Sequence, residues 1–198
     1  MSPPFGGKQL LVDNSAFQRG GHPAVRTEWD TALGEGSLHR SPILELEVLY
    51  SARNAREHSE LKEELEAFRS VGLSSPISDA ALEAQAELAR YAPGFHRLPP
   101  QDYLVAAIAA AHGLGVLHYD SDLDRIAEHS ALAFDSVWIA PAGTLDQEAQ
   151  DPLRPHRRAI TLGLAQFSGK RAEEVLDRVL DLLESELRAD GLQAPARP

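Results

Sequence analysis

Gln9-Leu10-Leu11-Val12-Asp13-Asn14-Ser15 is the stretch on which the fold turns. Its apolar run is short enough for a buried strand, and it stops abruptly at an acid and an amide that suit the start of a new element. The same pattern returns in Gly115-Val116-Leu117-His118-Tyr119-Asp120, again a buried run closed by an aspartate. Ser136-Val137-Trp138-Ile139 predicts a further strand. Unbroken apolar runs, rather than alternation, mark strands covered on both faces, as in a parallel sheet.

Helices fill the intervals. A short one is expected over 15–19, then Gly20, Gly21 and Pro23 punctuate, and Pro23 suits the first position of a second helix reaching 33. Ser41-Pro42 opens a third, in which Ile43, Leu46, Leu49 and Tyr50 form a helical stripe. Residues 57–68 are highly charged, with Leu61, Leu65 and Phe68 on one face, which predicts a solvated helix. Residues 73–77 read as a loop or a short strand. Ser78-Asp79 then caps an alanine-rich helix to 91. Pro99-Pro100 precedes a helix over 101–112 that Gly113 ends, and another follows over 123–129. Strands alternating with helices predict an α/β fold around a parallel sheet.

The chain has 198 residues, which suggests one domain plus an appendage if a domain takes about 150 residues. The border is expected near residue 142. Pro141, Gly143, Pro152 and Pro155 make a linker-like passage, and Leu176, Leu180, Leu183 and Leu187 predict a helix over 172–187. That stripe needs a partner surface, on this domain or across a dimer. Absence of cysteine excludes disulfides and thiolate metal sites. The longest apolar stretch, 103–117, is broken by His112 and two glycines and falls short of the roughly 20 residues of a membrane span. Residues 1–8 hold no apolar run, so a cytoplasmic protein with no membrane partner is expected. A net charge of −11 argues, taken globally, against a nucleic-acid binder.

The placement of the acids qualifies that objection. Asp13 and Asp120 each close a buried strand, at the end where open parallel sheets bind ligands. Asp102 falls in a first helical turn, within an otherwise apolar segment. Glu45 and Glu47 lie in the third helix, and a spacing of two turns their side chains by about 200°, so they cannot both face one site. Any one such acid is ordinarily a helix cap or loop residue, and Asp120, Asp122 and Asp124 could form a capping cluster. Their joint occurrence favours chemistry. Carboxylates about 4 Å apart repel by about 4 kcal/mol at an effective dielectric of 20, so a cation or protons must offset them. A carboxylate set without cysteine suits a hard divalent ion, Mg2+ or Mn2+.

Four segments carry a family resemblance. They are Leu10-Leu11-Val12-Asp13-Asn14-Ser15-Ala16, the run from Ser41 to Arg53, Gln101-Asp102-Tyr103-Leu104-Val105-Ala106-Ala107, and the run from Val116 to Asp124. In order, they resemble the four acidic motifs of the PIN-domain ribonucleases, and most of all the VapC-type toxins of bacterial toxin–antitoxin pairs. The resemblance covers about residues 8–141. It implies a PIN-like (Rossmann-like) parallel sheet flanked by helices over residues 1–142, with a linker and helical extension over 143–198 that has no template in the family. It also implies an Mg2+- or Mn2+-dependent endoribonuclease acting on structured RNA, a tRNA or an rRNA loop, as a homodimer inhibited by a VapB-type antitoxin.

By the same resemblance, Asp13, Glu47, Asp102 and Asp120 match the catalytic acids, with Glu47 rather than Glu45 fitting the pattern. Asp13, Asp102, Asp120 and Asp122 match the metal site, Asp122 being an additional acid. Ser15 matches the small polar residue beside the first acid, and Arg53 is a candidate contact to substrate or to the acids. Asn14 departs from the usual threonine or serine, which touches catalysis little. Asp124 is expected to be structural, pairing with Arg125 or capping its helix.

The other polar residues carry less. His118 is expected in the core or behind the acids, and His22, His39, His58, His112 and His129 lack metal-ligand spacing. Arg19, Arg40, Arg53, Arg56 and Arg97, with the cluster Arg154, His156, Arg157 and Arg158, are candidate RNA contacts, each equally readable as a surface arginine. Two rivals remain. A vestigial PIN-like interaction module would not need an intact acid set. A haloacid-dehalogenase-type phosphatase wants a second Asp two residues after the first, where this chain has Ser15.

Overall fold

The computed structural model describes residues 3–145. Its order is β1 (Leu10–Val12), α1 (Asn14–Phe17), α2 (Pro23–Gly34), β2 (Leu38–Arg40), α3 (Pro42–Tyr50), α4 (Ala55–Leu65), β3 (Arg69–Ser70), α5 (Ser75–Tyr91), α6 (Pro100–His112), β4 (Gly115–His118), α7 (Ser121–His129) and β5 (Ser136–Trp138). All neighbouring strands are parallel, in the spatial order β3-β2-β1-β4-β5. Among the described residues, no helix is long and apolar enough to cross a membrane. The basic cluster from Arg154 to Arg158 and the helix expected over 172–187 lie outside the described residues.

The two faces of the sheet carry separate cores. Leu10, Val12 and Leu117 pack with Val25, Trp29, Leu44 and Leu65 on one side. Leu11 and Val116 pack with Ile77, Leu88, Ile108, Leu123 and Ile126 on the other. Both faces being covered explains why β1 and β4 are buried at every position. Helix α6 is apolar nearly all round, with Val105, Ala106, Ala107, Ile108 and Ala109 buried, as a helix enclosed by α5, α7 and the sheet must be.

Local chemistry sets the boundaries. The Ser41 hydroxyl accepts from the Leu44 amide at 3.3 Å ahead of Pro42, and Asn54 caps α4 by accepting from Glu57 N at 3.0 Å. Gly113 ends α6 at φ 65°, a left-handed conformation that glycine adopts without a Cβ penalty. The chain stays packed beyond β5, where buried Leu145 donates its amide to the Tyr119 hydroxyl at 2.9 Å.

Three local readings change. Strands β2 and β3 were not expected, because segments of three and two residues show no period. Residues 73–77 are neither wholly loop nor strand, since α5 begins at Ser75 with Pro76 in its first turn. The charged helix starts at Ala55 and stops at Leu65, leaving Phe68 to pack against Phe17 and Trp29 with ring centroids 5.9 Å from each.

That aromatic group makes Gly20 sensitive. A Cβ there would lie 2.4 Å from the Trp29 ring, which is itself packed. Gly20→Ala is expected to destabilise the fold by about 1–3 kcal/mol, the usual cost of overpacking. Urea unfolding checks this, and an unchanged midpoint would contradict it.

Candidate active site

Sheet order places the site. The chain leaves β1 for β2 on one side, and β4 returns on the other, so a crevice opens beyond the C-terminal ends of β1 and β4. Residues Val12 and Leu117 are in register, so Asp13 and the segment from His118 to Asp120 emerge side by side. The Asp13 amide donates to Leu117 O at 2.9 Å, closing the ladder there.

Asp13 caps α1. Its Oδ2 accepts from the Ser15 amide at 2.8 Å and from the Ser15 hydroxyl. The same hydroxyl accepts from the Tyr119 amide at 2.9 Å, so Ser15 ties the ends of β1 and β4 together. Ser15→Ala would leave the part-buried Tyr119 N–H without this partner. A loss of about 1–3 kcal/mol is expected, with Ser15→Thr recovering most of it. Chemical denaturation of both variants reads this, and equal loss from Ala and Thr would argue against the hydroxyl bridge.

Asp120 caps α7, accepting from the Asp122 amide at 3.0 Å, and Asp122 sits in the first turn of that helix. Asp102 projects from the first turn of α6. Carboxylate oxygens of Asp102, Asp120 and Asp122 lie within 4.8 Å of one another, close enough to share one ion. Asp102 is only 8% exposed, and its Oδ2 is buried without a hydrogen-bond partner. Burial first, and then the charges of Asp13, Asp120, Asp122 and Glu47, push its pKa up to about 8. Glu47 is raised by burial and then by Asp13, and Asp122 by burial and then by Asp120. Asp102 therefore feels the charge of all four other acids.

This arrangement fits a hard divalent cation. An orphaned, buried carboxylate oxygen among four further acids lacks the positive charge that would stabilise it, and oxygen donors alone match Mg2+ or Mn2+. Among the described residues, Asp102, Asp120 and Asp122 form the one group with metal-holding spacing.

The remaining candidates are distributed differently. Glu45 points away from this cluster into an ion pair with Arg40 at 2.9 Å. Arg53 is solvent-facing, its guanidinium held by Glu57 at 3.0 and 3.2 Å. Arg56 likewise pairs with Glu60 at 2.8 Å. Arg19, by contrast, lies next to the acids: it donates to Ser15 O at 2.9 Å and its guanidinium stacks 4.3 Å over the Tyr119 ring. Asp124 is structural, but its partners are not those expected. It accepts from Ser136 Oγ and from Trp138 Nε1 at 2.9 Å, both on β5, because α7 packs back along that strand. The 3.6 Å ion pair of Arg125 goes to Asp122 instead. His22 caps α2, His39 meets Gln9 at 2.9 Å, and His129 stacks on Tyr91 at 3.9 Å, which are structural tasks.

An all-parallel sheet with a carboxylate cage at its switch point defines the class: an α/β protein whose acidic centre is assembled from strand ends and helix starts. Residues 11–129 match the PIN domain family model. The chain is 39% identical to Ribonuclease VapC51 of Mycobacterium tuberculosis over 70% of its own length and 98% of that protein's. It is 33% identical to Ribonuclease VapC18 of the same organism, over 69% and 98% of the two chains. Among solved structures, the DNA-bound VapBC of Salmonella typhimurium gives a TM-score of 0.54 at 17% identity, covering 67% of this chain and 99% of that one. VapBC2 of Rickettsia felis, bound to a promoter DNA fragment, gives 0.51 at 16% identity, covering 65% and 98%. These two likenesses concern the fold. The chain belongs to the PIN-domain family, and within it to the VapC-type ribonuclease toxins.

Proposed function

We propose that this toxin is an Mg2+- or Mn2+-dependent endoribonuclease that cuts structured RNA, a tRNA or an rRNA loop, leaving a 5′-phosphate and a 3′-hydroxyl. The observation that carries this reading is the buried, unpartnered Asp102 oxygen within a five-acid cage. Asp102, Asp120 and Asp122 would hold the ion, and Asp13, outside that group of three but acting on Asp102 by its charge, would complete the set. When bound, a divalent ion supplies charge to hold a phosphodiester, lowers the pKa of water, and steadies the leaving oxygen.

The chain's own groups do the rest. Ser15 holds Asp13 in one rotamer, and the strand ends hold Asp13 and Asp120 against each other. Glu47, raised by its burial and then by Asp13, is a stronger base than an exposed carboxylate and is the one suited to take a proton from the attacking water. Arg19, beside Ser15 and Tyr119, is the cation placed to meet a substrate phosphate. Arg53, more distant and solvent-facing, is a contact to the flanking RNA. A net charge of −11 keeps non-specific RNA binding weak, so recognition rests on RNA shape and a few basic points.

A VapB-type antitoxin is the proposed inhibitor, in keeping with the VapBC assemblies in which the fold neighbours were solved. A homodimer in the cytoplasm is the proposed working form. The test is incubation of the purified protein with cellular RNA, with Mg2+, with Mn2+ and with chelator, followed by mapping of cleavage ends. Cleavage that survives both the chelator and Asp13→Asn would overturn the proposal.

A further inference from the structure

His118 is fully buried at the end of β4, two residues before Asp120, and nothing so far gives its ring a task. Its contacts leave one protonation pattern. The Asp120 amide lies 3.2 Å from Nδ1, and because an amide can only donate, Nδ1 must accept. The ring proton is then on Nε2, which faces Ser136 Oγ. Ser136 in turn donates to Asp124 Oδ1, and Asp124 Oδ2 is held by Trp138 Nε1 at 2.9 Å. Hydrogen bonding at one ring nitrogen sets the state of the other. Four side chains on β4, α7 and β5 therefore keep an acceptor aimed at the backbone of an acid in the cage.

We propose that His118 is a positioning residue. Locked as the Nε2–H tautomer by Ser136 and Asp124, it fixes the Asp120 main chain, and so aims the Asp120 carboxylate at the divalent ion. The inference rests on the metal-site reading above. It also explains why Asp124 is turned towards β5: that acid anchors the chain of bonds ending at Asp120. Groups that orient a metal ligand from behind typically affect affinity by about 10–100-fold when removed.

The test compares two replacements of similar size that differ in where they keep a polar atom. His118→Asn places an acceptor near the position of Nδ1, whereas His118→Gln places its amide near that of Nε2. Mn2+ affinity is read by electron paramagnetic resonance, and exchange of the Asp120 amide by NMR in the metal-free protein. His118→Asn is expected to stay within about threefold of the wild type in both measurements. His118→Gln is expected to bind Mn2+ about tenfold or more weakly and to exchange the Asp120 amide faster. Equal behaviour of the two variants would reduce His118 to a packing residue and overturn the proposal.

Wild-type protein supplies a check that does not depend on either variant folding. Two-bond 1H–15N correlation of the His118 ring must show Nδ1 unprotonated and Nε2 protonated, and the opposite tautomer would overturn the proposal. If wild type bound no Mn2+, the metal-site reading would fall. Amide exchange and the ring tautomer would then still decide whether His118 holds Asp120.

Discussion

Asp102→Asn is expected to abolish RNA cleavage while stabilising the metal-free protein. The catalytic loss follows from removing a central ligand of the cage. A few kcal/mol of lost charge stabilisation corresponds to about a thousandfold in rate, each 1.4 kcal/mol being about tenfold. The gain in stability follows from the pKa near 8. In the unfolded chain this carboxyl ionises near its ordinary value of 3.8, so between about pH 4 and 8 the folded state holds a proton that the unfolded state has released. The stability linked to that proton is fully present below about pH 4 and is lost as pH rises through about 8. Each pH unit costs the wild type up to about 1.4 kcal/mol, whereas Asn has no proton to release. The advantage of the variant should therefore be small at pH 4 and reach a few kcal/mol at pH 8. Thermal melts in chelator across that range measure it. A variant no more stable than wild type at pH 8 would contradict the buried, crowded state of Asp102.

Adding metal should narrow that difference. Mg2+ or Mn2+ stabilises only a protein that binds it, by about 2.7 kcal/mol at a concentration of 100 times Kd. Wild type should gain accordingly, and Asp102→Asn should gain little. Because the ion must displace the proton on Asp102, its affinity should tighten by up to about tenfold per pH unit until pH passes about 8, then level off. Raised values at Glu47 and Asp122 act in the same direction. Calorimetry at pH 6 and pH 7.5, in buffers of different ionisation enthalpy, would count the protons released. Affinity independent of pH would show that the ion does not meet a protonated cage, and would leave Asp102 outside its ligand set.

How much of this was legible beforehand depended on length and on partners. Strands β1 and β4 are continuous apolar runs, and such runs have few alternatives in a chain that also carries clear helical stripes. Ser41-Pro42 and Gly113 act through local chemistry, so the start of α3 and the end of α6 could be read directly. Strand β3 could not, since Arg69 and Ser70 are exposed and are a strand only because β2 lies alongside. Ser75 and Pro76 entered a helix rather than a loop because Ile77, just beyond them, is drawn into the second core.

The order of acids along the chain, their positions after strands or at helix starts, and the family they resemble are properties of the amino-acid sequence alone. They depend on local chemistry and on motif spacing. Their meeting is a property of the folded state: the order β3-β2-β1-β4-β5 sets the strand ends that carry Asp13 and Asp120 side by side, and the burial of α6 puts Asp102 within the field of both. The pKa near 8, the Ser15 bridge to Tyr119, and the turn of Asp124 towards Ser136 and Trp138 share that origin. Each depends on desolvation or on contact between residues far apart in the chain, and neither quantity exists until the two cores have closed on the sheet.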